Sequence, residues 1–171
     1  GDEALGMLTM NWLLPGKADP ETVLACKILD SLLTGMNASP LRKALIESGL
    51  GEDLTGAGVE HEMAQMYYSV GMKGVRPENF EAVQNLIVQT LQQIADSGFE
   101  GDLIEAGINS AEFDLRENNT GSYPRGLIVM LRALGSWLYD RDPLDLVAFE
   151  APLASLKSRL SKGEKVFEDL I

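Results

Sequence analysis

The order in which hydrophobic periodicities follow one another constrains this chain more than any single motif does. LGMLTMNWLLP alternates with period two and puts Leu8, Met10, Trp12 and Leu14 on one face, which predicts a strand ended by Pro15-Gly16. Asp19 then stands where it can cap a helix with Pro20 at its first position, where the missing N–H costs nothing. That helix is expected to reach Leu32 or Leu33 and to stop near Gly35, and Ser39-Pro40 repeats the start signal for a second one closing at Gly49.

A Gly-rich segment, GLGEDLTGAGVE, offers room for a short edge strand, and the β-branched and aromatic content of MYYSVGMKGV predicts another. From Pro77 the period changes to 3.6, with Phe80, Val83, Ile87, Leu91 and Ile94 on one stripe up to Gly98. Asp102 opens a further helix to about Leu115, and residues 125 to 139 supply a third apolar one carrying Leu127, Met130, Leu131, Leu134, Trp137 and Leu138. Helices are also expected around 144 to 161 and from 163 to the end. Strands come early, helices come late, and no βαβαβ alternation appears. That order predicts an α+β fold: a small, mainly antiparallel sheet covered on one face by helices.

Charge narrows the function classes. The net charge is −12, which opposes nucleic-acid backbones and anionic membranes and suits basic peptides. No apolar run approaches the roughly 18 residues of a membrane span. Cys26 is the one cysteine, so no internal disulfide can form; a reducing compartment is expected, the cytoplasm or, in a eukaryote, the mitochondrial matrix or plastid stroma. Its apolar setting, VLACKILDSLL, reads as a small buried hydrophobe rather than a nucleophile. With 171 residues, one domain is expected. The chain opens on Gly-Asp-Glu and closes within GEKVFEDLI, read as helical, so residues 1–171 are expected to be one domain excised from a larger multi-domain protein.

The single histidine raises the question of a metal. His61 lies between Glu60 and Glu62, as in halves of two zinc-peptidase motifs. The forward motif, H-E-x-x-H, needs a second histidine at position 65, which is Gln65. The inverted motif, H-x-x-E-H, needs one at position 57, which is Ala57. Gly56 and Gly58 also oppose the helix that either motif requires. No metal site and no catalytic residue is expected; His61 reads as a partly exposed histidine at a strand edge.

Other chemistry is equally sparse. G-x-S-x-G, P-loop and G-x-G-x-x-G motifs are absent, and the pairs Glu52/Asp53 and Glu60/Glu62 read as solvated loop acids. Arg42, Lys43, Arg116, Arg125 and Arg132 are scattered, as helix-surface ion pairs would be. ENNTGSYPRG is rich in turn residues and also polar enough for a substrate or interdomain contact.

Several stretches together resemble one family. SLLTGMNASPLRKALIESGLGEDLTGAGVE, YYSVGMKGV, GFEGDLIEAGINSAEFDLRENNTGSYPRGL and WLYDRDPL are similar to the presequence-protease branch of the pitrilysin/insulinase zinc metallopeptidases. The resemblance runs from about residue 6 to 171 and implies the mitochondrial-processing-peptidase-like metallohydrolase fold. It implies a parent of four homologous α/β domains in two halves closing around a chamber that degrades unstructured peptides. There the first domain carries the inverted zinc motif, and a domain of the last half supplies an Arg and a Tyr to the transition state. This chain is similar to the second domain. Where the Arg and Tyr would stand it has Ile46 and, nearby, Glu52, neither of which can donate to an oxyanion as they do.

The resemblance therefore implies a chamber wall without zinc of its own, zinc belonging to the parent. Its expected partners are peptide substrates and the other domains of the same polypeptide, with no nucleic acid and no membrane. It also implies an exosite, an edge to which a peptide's N-terminal part adds as a strand, at Leu54, Thr55, Gly56 and Ala57 with Gly35 in the turn before the preceding helix. Thr55 and Ala57 depart from the Leu-Val-Gly-Gly of the insulin-degrading relatives, and an ordinary short strand with glycines at a bend is the alternative. At the level of the whole chain, the alternative is a stand-alone, non-catalytic assembly subunit of the same fold.

Overall fold

Alternation in the first strand is visible as burial. The computed structural model describes residues 5–15, 19–118 and 120–171. Strand β1, Gly6–Leu13, turns every second residue inward, so that Leu8, Met10 and Trp12 pack against the core while Met7 and Leu13 face solvent. The strand ends before Pro15; Gly16 of the expected turn lies outside the described residues.

Asp19 caps the first helix, α1 (Pro20–Asp30), by accepting from the Glu21 and Thr22 amides at 3.0 and 3.1 Å. The helix widens into a π-turn, Ser31–Gly35, which buries Leu32 and Leu33. Helix α2, Pro40–Glu47, starts where Ser39-Pro40 predicted, but Ser39 is no side-chain cap. Its fully buried hydroxyl donates to the Ser31 carbonyl and accepts from the Met36 amide, both at 3.0 Å, tying the π-turn to α2.

Strands β2 (Asp53–Glu60) and β3 (Tyr67–Val75) complete a three-stranded antiparallel sheet in the order β1-β3-β2. β3 is the central strand, and its Tyr68, Val70, Met72 and Val75 are buried among α1, α2 and α3 residues. Trp12 stacks on Tyr68 with ring centroids 6.1 Å apart. A single 3-10 turn at Pro77–Asn79 leads into α3 (Phe80–Ser97), whose Val83 and Ile87 are fully buried and whose Ile94 nearly so. Each such side chain contributes roughly 1.5–3 kcal/mol through burial. Gly98, at φ +79°, turns the chain out of α3.

Helices α4 (Gly101–Glu117), α5 (Arg125–Trp137) and α6 (Glu150–Ser161) follow. Gly107 of α4 lies against Leu32, where a Cβ would come within 2.7 Å of that side chain. In the link before α5, Thr120 donates to the Tyr123 carbonyl, so those residues form a turn. The expected helix from residue 163 is not formed: Gly163 takes φ +79°, and only a 3-10 turn, Glu168–Leu170, is present. Val166 and Phe167 are instead both buried in adjacent positions, anchored where Glu168 accepts from the Phe99 amide at 3.2 Å. Residues 144–147 are likewise turn rather than helix. No helix among the described residues is long and apolar enough to cross a membrane.

Candidate functional site

The strand that the Gly-rich segment only hinted at is eight residues long and forms one side of the sheet. β2 pairs with β3 alone, so among the described residues its outer edge has no partner strand. Pairing runs Asp53↔Lys73, Leu54↔Met72 and Thr55↔Gly71, then resumes at Gly58↔Ser69. Gly56 and Ala57 together therefore oppose the one residue Val70, which makes a β-bulge with both residues exposed.

Glycine is required at two points of that bulge. Gly56 has φ +121°, and a Cβ there would lie 2.4 Å from the Ser69 carbonyl oxygen. Gly58 has φ +66°, and its Cβ would lie 2.3 Å from Asp30 Oδ2. Asp30, at the end of α1, supports the strand from beneath. Its carboxylate accepts from the Val59 amide at 3.3 Å and from the Thr34 hydroxyl at 3.2 Å. Burial holds the Asp30 pKa above the ordinary carboxylate range, against the lowering effect of these two bonds.

A shallow recess of about 160 Å³ opens over the bulge, lined by Thr34, Arg42, Leu54, Thr55, Gly56 and Ser69 among others. Of the residues expected from sequence, Leu54, Thr55 and Gly56 come together there. Ala57 stands exposed on the bulge itself, and Gly35 is exposed at the end of the π-turn, next to Thr34. Asp30, Thr34 and Arg42 are additions that sequence reasoning missed. Asp30 left one signal, an acid inside the apolar run CKILDSLL.

Among the described residues no catalytic constellation accompanies this edge. Ile46 is 44% exposed on α2, and Glu52 is exposed with its side chain over Gly74. Cys26 is buried with Val23 and Met66, and burial pushes its thiol up to about 11, which keeps it protonated. His61 follows the last residue of β2 and is half-buried. Among the described residues no three His, Cys, Asp or Glu side chains converge as a metal would need, so the donor set does not fit zinc. Ion pairs account for Lys43, with Glu47 at 3.9 Å, and for Arg116, with Glu112 at 2.7 Å. They do not account for Arg132, which donates to the Asn118 side chain at 3.2 Å.

Comparison with known proteins places this geometry. Residues 1–111 match the family described as the Peptidase M16 inactive domain. Presequence protease 1, chloroplastic/mitochondrial, of Arabidopsis thaliana is 49% identical over 168 residues, covering 96% of this chain and 16% of that protein. Protein HypA of Clostridium perfringens is 38% identical over 163 residues, covering 95% of this chain and again 16% of the relative. The chain thus spans about one sixth of the length of these relatives. Among solved structures, an inactive peptidase domain from Bordetella parapertussis superposes with a TM-score of 0.75 at 12% identity. That match covers all of this chain and 89% of the other, and at such identity it speaks for the fold.

Proposed function

This chain belongs to the Peptidase M16 inactive domain family, and we propose that it serves as a non-catalytic, substrate-anchoring domain within a longer zinc metalloendopeptidase. The observation that carries the proposal is the unpaired outer edge of β2, interrupted by the exposed Gly56-Ala57 bulge above its recess. Main-chain N–H and C=O groups along an edge bind any extended peptide whatever its sequence, and small residues let the incoming backbone approach closely. Leu54, Thr55, Gly56 and Ala57 form the anchoring edge, with Gly35 leaving space at the neighbouring π-turn. Unstructured peptides are the substrates this edge would take, since a folded chain has few strands free to pair.

Zinc, and the glutamate that activates its water, belong to another domain of the parent. This domain contributes chamber wall and anchorage, in the cytoplasm or, in a eukaryote, in an organelle matrix. Two observations support membership of a larger polypeptide: the relatives are about six times longer, and α5 turns an apolar stripe to solvent. The occupant of that stripe is another domain of the same polypeptide, because a second copy would bring a further net charge of −12 against it.

Gly56→Pro in the full-length enzyme tests the anchoring edge. It removes an edge N–H and cannot adopt φ +121°. KM for long peptides should rise while zinc content stays constant; an unaltered KM would overturn the assignment. The same apolar stripe would equally suit a stand-alone assembly subunit of this fold. An H-x-x-E-H motif within the same reading frame decides for the peptidase, and its absence for the subunit.

A further inference from the structure

A cavity of about 230 Å³ opens where the end of β1 and the start of β3 meet α1 and α3. Its walls are apolar. Trp12 and Tyr68, stacked with ring centroids 6.1 Å apart, share the lining with Leu29 and Leu33 of α1 and Leu91 of α3. One charged side chain stands among them, Asp30. This cavity and the recess over the β2 bulge have no lining residue in common.

The charge of Asp30 is not balanced there. The lining contains no lysine and no arginine, and among the described residues Asp30 gains only hydrogen bonds. Burial raises its pKa, and what opposes burial is the Val59 amide at 3.3 Å and the Thr34 hydroxyl at 3.2 Å. A carboxylate offers about four acceptor sites, so these two bonds leave part of it open. A half-buried carboxylate without a counter-cation favours a cation that brings its own hydrogen-bond donors. The aromatic faces in the lining attract the same sign of charge, and so does the net charge of −12. The volume sets the size: a cavity of about 150 Å³ accommodates benzene, so this one has room for a ring and a short amine arm.

We propose that this cavity binds a small primary amine carrying one aromatic or branched apolar group. Its ammonium pairs with Asp30, and its apolar body packs against Trp12, Tyr68 and Leu91. A free amine and the amino-terminal residue of a peptide share that chemistry, and the volume favours the free amine. The site is separate from the β2 edge, and nothing in it depends on the peptidase reading.

The two tryptophans supply a built-in control, since Trp12 lines the cavity while Trp137 is 67% exposed on α5. Ile171 also lines the cavity, so the 171-residue chain is used with its terminal carboxyl amidated, leaving Asp30 as the one acid. Benzylamine should shift the Trp12 indole N–H signal saturably by NMR and leave that of Trp137 in place. Benzyl alcohol, similar in size and uncharged, should bind about tenfold more weakly, the difference expected for one charge-assisted hydrogen bond. Asp30→Asn should weaken benzylamine by the same factor and leave benzyl alcohol unchanged. Asparagine still accepts from the Val59 amide and can donate to the Thr34 hydroxyl, so the bulge is kept. A non-saturating shift, equal binding of the alcohol, or unchanged benzylamine affinity in Asp30→Asn would each overturn the proposal. The alcohol comparison uses the unaltered chain and stands whether or not the variant folds. The tripeptide Phe-Gly-Gly binding more tightly than benzylamine would overturn the assignment to a free amine. By calorimetry the full-length enzyme should show the same dependence on Asp30. Its absence there would mean that another part of the polypeptide fills the cavity, which would overturn the site.

Discussion

Helices α3 and α5 repeat apolar residues at the same three- and four-residue intervals, and the fold uses them in opposite ways. On α3 the stripe faces the sheet, with Val83 and Ile87 fully buried. On α5 the stripe faces water: Leu131 is 47% exposed and Trp137 67%. The face that α5 turns inward is the less apolar one, with Ile128, Val129, Arg132 and Ala133 half-buried and Ser136 buried. An amphipathic pattern therefore reports that a helix has a partner, without saying that the partner lies within the same domain.

Variants along the two helices can break that contrast. Ile87→Ala should cost about 2–5 kcal/mol in urea unfolding, since it opens a cavity beneath β3. A smaller loss would mean that α3 is less tightly packed than its burial indicates. On the inward face of α5, the Ser136 hydroxyl is buried without a hydrogen-bond partner among the described residues. Ser136→Ala should raise stability by about 1 kcal/mol, because an unsatisfied buried hydroxyl is removed; a destabilised variant would show that the hydroxyl has a partner after all. On the outward face, Leu131→Ala should change the stability of the isolated chain by less than about 0.5 kcal/mol. The same change should weaken domain association in the longer polypeptide, measured as increased protease sensitivity, and a large loss in the isolated chain would place the stripe in its own core.

Local signals in the sequence translated faithfully. Asp19 before Pro20 formed the expected cap, because capping involves only groups within three residues of one another. Alternation in β1 gave the right inward face, since side-chain direction in a strand has a fixed period. The helix expected after Gly163 failed because long-range anchoring overrode its pattern: Phe167 fills the core and Glu168 binds the Phe99 amide. The candidate edge was legible as the stretch LTGA but not as a bulge. Its shape depends on Ser69 of β3 and Asp30 of α1, neither of which is adjacent in sequence.

What the amino-acid sequence determined by itself was the class of the fold and the absence of a histidine zinc motif, because periodicity and residue counts are properties of the chain alone. Tertiary structure decided which apolar stripe is buried, where β2 bulges, and that Lys27, His61 and Arg132 share one recess. These depend on contacts between residues tens of positions apart, whose energies exist only once the sheet and helices are assembled. His61, attractive in sequence as half a zinc motif, acquires its chemical setting from α1 and α5 as well as from its neighbouring glutamates.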